Sequence, residues 1–425
     1  MSNSLPQGWE EVLLKDYLES IIDYRGKTPK KSDSGIVTLS AKSVRMGYIQ
    51  YDNAYYISEE TYNKFMTRGF PKKGDVLITT EAPLGCISRL DRDKVGLAQR
   101  LITVRGKENK LDNGYLLYYL QSSLGQHELT SRASGTTVQG IKRTEFEKVK
   151  LILPPLNEQK RIADILSAFD DKIELNNQMN QTLESMSSAL FKEWFENFNF
   201  PNEQGKAYKE NGGEFKSSEL GEIPVDWEVK CLKDISKTIS KGTTPRKKDV
   251  DGLETQILFL KVKDINDNGI IKFSGLEKIP KEVHLKQLKR SILEVDDILI
   301  SIAGTIGRVT ITPRELDNAN CNQAIAFIRL KDKEKYKKYV YQWIRTSLVQ
   351  SQINSSIVQG VQANVSLTTL GELNITMPDE KTIEKFNDNF SPIFEQIQQN
   401  QQQNQTLKKQ RDTFLPKLMS GEIRV

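Results

Sequence analysis

Two basic turns lie at similar places in the two halves of this 425-residue chain. Groove recognition in DNA uses Arg, Lys, Asn and Gln at base edges, with Ser, Thr and Lys on phosphates. We interpret both turns as phosphate or groove contacts, and the alternative is a solvated loop, because basic turns are common on protein surfaces. The turn around Pro29 contains Arg25, Lys27, Thr28, Lys30 and Lys31. The turn around Pro245 contains Lys241, Thr243, Thr244, Arg246, Lys247 and Lys248.

Three further sets of polar residues have side chains of the same kinds. One set follows an apolar strand in each half and is a candidate for base contacts: Lys42, Ser43, Arg45, Lys261 and Lys263. A second set lies at predicted strand ends: Thr79, Thr80, Ser301 and Thr305. A third set lies in glycine-marked loops: Ser134, Thr136, Thr137, Gln139, Gln359, Gln362 and Asn364. Ordinary turn chemistry is the alternative for the last two sets.

Four residues near predicted strands leave two interpretations open. They are Gln99, Arg100, Asn322 and Gln323. An amide in such a position either satisfies backbone groups inside the fold or contacts DNA. We therefore assign none of the four to the candidate DNA contacts.

Motifs that would supply catalysis are incomplete in this sequence. Gly26–Thr28 resembles the end of a phosphate-binding loop, but the first glycine of that motif is replaced by Ile21. Pro154–Pro155 lacks the flanking Asn or Asp and the aromatic residue of an amino-methyltransferase motif. Pro378–Lys381 resembles a compressed nuclease motif, yet metal-dependent cleavage needs carboxylates spaced around the cation. We assign no catalytic residue and predict that the chain is not an enzyme.

The histidines and cysteines are too scattered to build a metal or redox site. His127 and His284 are the two histidines, and neither lies near a cysteine or an acidic cluster at ligand spacing. Cys86, Cys231 and Cys321 are far apart and form no paired motif, which argues against disulfides and against a thiolate zinc site. We therefore predict free thiols and no metal or cofactor on this chain.

Composition and the amino terminus are typical of a cytoplasmic protein. Hydrophobic residues make up 37% and charged residues 28% of the chain, and the formal net charge is +5. That charge is compatible with local DNA-binding patches but does not by itself indicate them. The first residues form no basic and apolar signal, and no uninterrupted apolar run has the ~18 residues of a membrane span. We expect no membrane association.

An internal duplication organises the whole chain. Trp9 recurs 218 residues later as Trp227, and Asp75 recurs 222 residues later as Asp297. Further along, the offset settles at 224, which is the separation of Pro154 and Pro378. A small drift of this kind indicates short loop insertions between two copies of one domain.

Each half ends in a predicted helix with the 3–4 hydrophobic spacing of a coiled coil. The first seam is Ile162, Leu166, Phe169, Ile173, Asn176, Asn180, Leu183, Ser187, Leu190 and Trp194. The second seam is Phe386, Phe390, Ile393, Ile397, Asn400, Asn404, Leu407, Arg411, Phe414 and Leu418. The alternative is that each helix packs on its own domain.

Buried amides near the middle of both seams favour pairing of the two helices. Asn176 and Asn180 straddle the first midpoint, and Asn400 and Asn404 straddle the second. Such layers fix register because a slip would leave an amide opposite an apolar residue. Parallel pairing also matches the amides, but we favour antiparallel pairing, since it places two duplicated domains at opposite ends. Helices of about 33 residues span roughly 50 Å and could act as a ruler between two sites about one DNA turn apart.

These patterns predict an α+β protein with two homologous α/β domains joined by an antiparallel coiled coil of two long helices, related by a pseudo-two-fold duplication. The polar, glycine-containing stretch between the halves is interpreted as a linker. The predicted segments are a first α/β domain (1–155), a first helix (156–196), a linker (197–222), a second α/β domain (223–378) and a second helix (379–419).

Three segments of the sequence resemble the specificity subunits of type I restriction-modification systems. They are Leu153–Ile162 leading into the first helix, Ala189–Phe195 near its end, and Gly221–Glu228 at the start of the second half. The resemblance extends along almost the whole chain. It departs from the family pattern at Met377–Ile383, where the second half lacks the fuller Pro-Pro-Leu-Asn-Glu-Gln motif, so we expect docking at that end to differ.

The resemblance implies two target recognition domains that each read one half of a bipartite double-stranded DNA site. It implies docking of two modification subunits on the helices, with restriction subunits joining that core. S-adenosylmethionine would belong to the modification subunits, and ATP and magnesium would belong to the restriction subunits. Base-contacting residues are not implied, because recognition domains differ with their targets.

Alternative functions remain open at this point. The chain could be a coiled-coil scaffold that binds proteins without DNA specificity, which would lack the steep salt dependence of DNA binding. It could serve a complex that only methylates. An unrecognised nuclease or methyltransferase would show activity alone with metal or S-adenosylmethionine.

Overall fold

The computed structural model describes residues 5–24, 26–135, 138–357 and 364–425. Five candidate contacts lie outside the described residues: Arg25, Thr136, Thr137, Gln359 and Gln362. The chain folds into two units, the first formed by residues 1–178 and 400–425 and the second by residues 179–399. Each unit therefore contains one of the two predicted α/β domains and part of each long helix, whereas the predicted segments place each helix apart from the domains.

The first unit is built from short strands around a four-stranded sheet. Its strands are β1 Glu10–Leu13, β2 Leu18–Asp23, β3 Ile36–Leu39, β4 Tyr55–Ile57, β5 Val76–Thr80, β6 Leu84–Arg89, β7 Gly96–Leu97, β8 Leu101–Gly106 and β9 Lys150–Leu153. Its helices are α1 Glu59–Phe65, α2 Asn113–Gln121, α3 Ser123–Ser131, α4 Arg143–Phe146 and α5 Leu156–Phe191, the last shared with the second unit.

Antiparallel pairing sets the order β2-β8-β5-β6 in the main sheet of the first unit. A second sheet has the order β4-β3-β7, with β3 and β7 parallel. Strand β5 is buried along its whole length, as its β-branched residues favour. Helices α2 and α3 begin where Asp112 and Ser122 accept hydrogen bonds from backbone amides of the first turn.

The second unit repeats this arrangement and adds a hairpin. Its strands are β10 Phe215–Ser218, β11 Gly221–Pro224, β12 Glu228–Cys231, β13 Ser236–Lys241, β14 Ile257–Leu260, β15 Glu277–Ile279, β16 Ile298–Ser301, β17 Val309–Ile311, β18 Asn320–Cys321, β19 Ile325–Leu330 and β20 Asn374–Met377. Its helices are α6 Leu232–Ile235, α7 Lys247–Val250, α8 Lys281–Lys286, α9 Lys333–Arg345, α10 Ser347–Ser355, α11 Leu367–Gly371 and α12 Glu380–Met419, the last shared with the first unit. The main sheet has the order β13-β19-β16-β17.

The stretch interpreted as a linker, 197–222, is structured and belongs to the second unit. Phe200 stacks on the buried Trp227 with ring centroids 5.0 Å apart, and Tyr208 stacks on Phe200 at 4.7 Å. Strands β10 and β11 form a hairpin beside these rings. The polar composition concealed this packing, because a few aromatic residues bury enough surface to order a segment that is otherwise hydrophilic.

The long helices α5 and α12 run antiparallel, as predicted. In the first unit Phe169 packs on Phe414 with ring centroids 6.1 Å apart, while Asn176 Nδ2 donates to Asn404 Oδ1 over 2.9 Å. Residue numbers therefore rise along α5 as they fall along α12. In the second unit Phe191 packs edge-on against Phe386 at 6.1 Å, close to the start of α12.

The amide layers lie inside the helix pair. Asn176, Asn180, Asn400 and Asn404 are all buried. Asn176 also donates to Gln403 Oε1 over 2.7 Å, and Asn404 Nδ2 donates to Asn177 Oδ1 over 3.0 Å. The predicted pairing of amide with amide is confirmed for Asn176 and Asn404. A shift in register would break these bonds inside an apolar seam.

Candidate nucleic-acid interface

Four strand ends meet at one edge of the main sheet of the first unit. Strand β2 ends and β8 begins there, since Asp23 pairs with Ile102, and β5 turns into β6 there, since Thr80 pairs with Leu84. We define the first loop edge as the described residues among 24–28, 80–85, 99–100 and 134–140. Candidates from three separate sequence segments thus lie at one edge.

Backbone hydrogen bonds join the loops of the first loop edge. The amide of Thr80 donates to the carbonyl of Arg100 over 2.9 Å. The amide of Ile141 donates to the carbonyl of Thr80 over 3.0 Å, and Glu81 bridges to Gly140. The loop that contains Ser134 and Gln139 is therefore attached directly to the end of β5.

The second unit builds the same edge from the matching segments. The second loop edge is formed by residues 241–244, 301–308, 322–324 and 364. Ile302 donates to the carbonyl of Ala324 over 2.8 Å, Val365 donates to the carbonyl of Ile302 over 3.0 Å, and Ala303 bridges to Asn364. Each contact is the counterpart of one in the first unit.

One hydroxyl group in each unit, that of Thr79 or of Ser301, holds the turn at the loop edge instead of facing outward. Thr79 is fully buried and its hydroxyl accepts from the amide of Cys86 over 2.8 Å. Ser301 is fully buried and accepts from the amide of Arg308 over 2.8 Å, while it donates to the carbonyl of Thr305 over 2.5 Å. The prediction that these two side chains contact DNA is corrected, because both are used inside the turn.

Two further hydroxyls are also unavailable to a ligand in this conformation. Thr80 is 2% exposed. Ser43 is fully buried and donates to the carbonyl of Asn53 over 3.1 Å, which ties the loop after β3 to the chain before β4. Both are corrected to structural residues. Polar type and position next to a strand could not distinguish them from surface hydroxyls.

The remaining described candidates have at least partly accessible side chains. In the first unit Lys27, Thr28, Lys30, Lys31, Lys42, Ser134 and Gln139 are exposed and Arg45 is half-buried. In the second unit Lys241, Thr243, Thr244, Arg246, Lys247, Lys248, Lys263, Thr305 and Asn364 are exposed. Lys31 lies over the ring of Tyr55 at 4.9 Å from its centroid, on the side of the three-stranded sheet.

The cations after β14 share one carboxylate. Lys261 lies 2.5 Å and Lys263 lies 3.1 Å from Glu277. Hydrogen bonds from the two ammonium groups hold the pKa of the Glu277 carboxyl below its usual range. This part of the second unit is therefore less positive than its two lysines suggest.

Two buried ion pairs support the main sheets at matched positions. Arg105 lies 2.7 Å from Asp75, which is 1% exposed, and Arg329 lies 2.7 Å from Asp297, which is fully buried. The hydrogen bond with the aspartate raises the pKa of the arginine in both units. Both arginines use two guanidinium nitrogens, so the geometry is the bidentate one.

Sequence reasoning missed one charged pair at the first loop edge. Arg100 Nε lies 2.7 Å from Glu81 Oε1, and the two side chains are 46% and 41% exposed. Glu81 follows the predicted contact Thr80 directly in the sequence, and Arg100 was left undecided. Nothing in the sequence alone indicates that these two residues are neighbours, since the pairing depends on the order of strands in the sheet.

Within the described ranges, no group of three or more His, Cys, Asp or Glu side chains could hold a metal ion. Cys86, Cys231 and Cys321 are free thiols. In the same part of the chain no helix is long and apolar enough to cross a membrane.

Comparison with known proteins assigns both halves to one family. The model of the type I restriction modification DNA specificity domain matches residues 6–185 and again residues 224–409. Each of the two matched ranges contains one of the two loop edges.

Two relatives that align over most of this chain are specificity subunits of type I restriction enzymes. The MjaIX specificity subunit of a type I restriction enzyme from Methanocaldococcus jannaschii is 28% identical over 372 residues, covering 87% of this chain and 82% of the relative. The MjaVIII specificity subunit from the same organism is 23% identical over 429 residues, covering 99% and 94%.

A solved structure has the same fold. The S subunit of a type I restriction-modification system from M. genitalium superposes with a TM-score of 0.57 at 17% sequence identity, covering 98% of this chain and 97% of that chain. The duplicated family match, the full-length relatives and the shared fold agree with the duplicated sheets and paired helices described above. The chain therefore belongs to the family of type I restriction-modification DNA specificity subunits.

Proposed function

We propose that this chain selects the DNA sequence on which a type I restriction-modification complex acts, and that each unit reads one half of a bipartite target through its loop edge. The observation that carries the proposal is the repetition of one backbone frame around two different sets of exposed polar side chains. The bond from Thr80 to Arg100 has its counterpart in the bond from Ile302 to Ala324. A repeated frame with different surfaces suits recognition of two different half-sites.

The exposed side chains of both edges have the chemistry of a DNA interface. Lysines such as Lys27 and Lys241 can neutralise phosphates, and amides such as Gln139 and Asn364 can bond to base edges. Contacts to phosphates position a protein on the duplex, and contacts to bases provide specificity. Both kinds of side chain are present at each edge.

In this proposal the paired helices set the distance between the half-sites. Helix α5 has 36 residues and would measure about 54 Å at 1.5 Å per residue. The buried bond between Asn176 and Asn404 would keep that distance constant by fixing register.

The chain itself would perform no chemistry. Two modification subunits would dock on it and bind S-adenosylmethionine, and restriction subunits would bind ATP and magnesium. Its own contribution would be the choice of site.

The test is to purify the chain with its modification subunit and to sequence the adenines that the complex methylates on random DNA. We expect a single split motif. Exchange of residues 1–150 for those of a relative should change one half of the motif, and exchange of residues 223–375 should change the other. Methylation without a motif, or none, would favour the scaffold alternative.

Three additional measurements test the alternatives and the spacer role of the helices. DNA binding through phosphates should weaken steeply with salt, whereas a protein scaffold should show no such dependence. Removal of one heptad from each helix, at matched positions, should shorten the spacer by about three base pairs. In the third measurement, the restriction subunit is added to the complex together with an unmethylated target. Absence of cleavage would indicate a complex that only methylates.

A further inference from the structure

The two loop edges bear different side chains at positions where their backbone hydrogen bonds match. Thr80 and Ile302 make the same hydrogen bond, but its acceptor is Arg100 in the first unit and Ala324 in the second. The next residue after each donor bridges to the neighbouring loop, and it is Glu81 in the first unit and Ala303 in the second. Two positions that bear an ion pair at one edge thus bear two methyl groups at the other.

Arg100 has a backbone conformation that the matched residue of the second unit does not share. Its φ is 67°, in the left-handed region that L side chains rarely adopt. Among the described residues with positive φ, Ala324 is absent, although it accepts the same hydrogen bond. Residues held in this region cluster at functional sites, where the surrounding structure fixes them.

Arg100 lies in the middle of the first loop edge. It precedes β8, which is flanked by β2 on one side and by β5 on the other. Glu81 extends from the end of β5, and its backbone is fixed by the bridge to Gly140. The carboxylate therefore holds the guanidinium at Nε from a rigid turn, while nearly half of the arginine side chain remains exposed.

The pair is better suited to a base than to a phosphate. A carboxylate 2.7 Å from the cation would repel a phosphate. Arginine bonds two acceptors of guanine in the major groove, and a carboxylate accepts from the amino group of cytosine. One arginine with one glutamate complements the two edges of a G·C pair.

We propose that Arg100, oriented by Glu81, reads a G·C base pair in the half-site of the first unit, and that the second unit makes no such contact at its matched positions. The inference rests on the proposed function and adds the identity of a base pair and its reader. Arg100 is the contacting residue, and Glu81 is a positioning residue.

Sequencing of methylated adenines tests the proposal with four complexes. The wild type, R100Q, E81Q and R92Q are each purified with the modification subunit. Arg92 is a matched control, because it is 49% exposed and lies 3.0 Å from Asp91, but it follows β6 at the opposite edge of the same sheet. Thermal unfolding of the variants verifies that each exposed substitution leaves the fold intact.

We expect a wild-type motif with a G·C pair at one position of the first-unit half-site. R100Q should reduce the preference for that pair by roughly 10- to 100-fold, as expected for loss of a bidentate arginine contact. E81Q should relax the same position by a smaller factor, and R92Q should leave the motif unchanged. The other half of the motif should be unaffected in all three variants.

Three outcomes would overturn the assignment. If R100Q left the wild-type motif unchanged, the assignment of Arg100 would be overturned, while the proposed function would stand. A uniform loss of affinity for all sequences in R100Q, with the salt slope reduced by about one, would make Arg100 a phosphate contact. A wild-type complex without any motif would overturn the proposed function and this assignment together.

Discussion

In the first unit, the Thr80 amide donates to the carbonyl of an arginine, and in the second unit the Ile302 amide donates to the carbonyl of an alanine. The hydroxyls of Thr79 and Ser301 close the following turns in the same way. Contacts that hold the chain in place are thus repeated, whereas exposed side chains at the same places are not. The comparison teaches that duplication preserved the frame of each unit and left the loop edge free to diverge.

The buried ion pairs provide the largest test of a repeated frame. D75A and D297A should each destabilise their own unit by about 3 kcal/mol, because each removes the buried bidentate partner of a mostly buried arginine and leaves it only the exposed carboxylate of Glu19 or Glu294. Hydrogen exchange with mass spectrometry would measure each unit separately. E60Q is the control, since its pair with Lys64 is 77% and 76% exposed and should matter little. If only one of the two variants, D75A or D297A, strongly destabilised its own unit, the two ion pairs would not be equivalent.

The hydroxyls that close the turns should have an intermediate effect. T79V and S301A each leave a buried backbone amide without an acceptor and should cost about 1–3 kcal/mol. Each variant should also blur only the half of the methylation motif that its own unit reads. If T79V disturbed the half assigned to the second unit, the division of labour would be contradicted.

The first tryptophan of each copy donates a hydrogen bond to a carboxylate, and the pH dependence of stability should differ between the two units. Trp9 donates to Glu158 over 3.1 Å and Arg424 binds the same carboxylate, whereas Trp227 donates to Asp379 over 3.2 Å. The hydrogen bond from Arg424 lowers the pKa of Glu158 from its ordinary value of 4.5. A lowered pKa in the folded state adds stability above the ordinary value, and that stability is lost as the pH falls through the folded value.

E158Q should therefore destabilise the first unit by about 1 kcal/mol at pH 7, and this difference should shrink as the pH falls below 4.5 through the lowered pKa of Glu158. Urea unfolding at several pH values, followed by hydrogen exchange in each unit, measures the difference. A loss that did not shrink at any acid pH at which the unit stays folded would mean that charge on Glu158 contributes nothing. R424Q should reproduce the same pH profile, because it removes the main cause of the lowered pKa.

The smallest expected effects concern the lysines after the apolar strands. K42A should reduce the salt slope of DNA binding by about one, as loss of one phosphate contact does. K263A should reduce it less, because Lys263 is already paired with Glu277 in the free protein. Binding titrations between low and high salt measure both slopes. A larger change for K263A would show that DNA displaces Glu277 from this lysine.

Local periodicity in the sequence was sufficient for the long helices but not for the loops. The seams that contain Asn176 and Asn404 predicted the antiparallel pair and one amide contact between its helices. The stretch 197–222 was interpreted as a linker, because the packing of its aromatic residues on Trp227 is visible only in the folded chain. Thr79, Thr80, Ser43 and Ser301 were placed among surface contacts, since burial depends on neighbours far along the chain.

The sequence by itself determined the duplication, the heptad register of the helices and the family, because these are written in repeats and short motifs. Only the tertiary structure decided which polar residues share an edge. The order β2-β8-β5-β6 brings Arg100 beside Glu81, and the order of strands follows from long-range pairing that no local pattern encodes. The same physical reason applies to the hydroxyl groups. Whether each one is buried in a turn or exposed at the surface depends on segments that are distant in sequence.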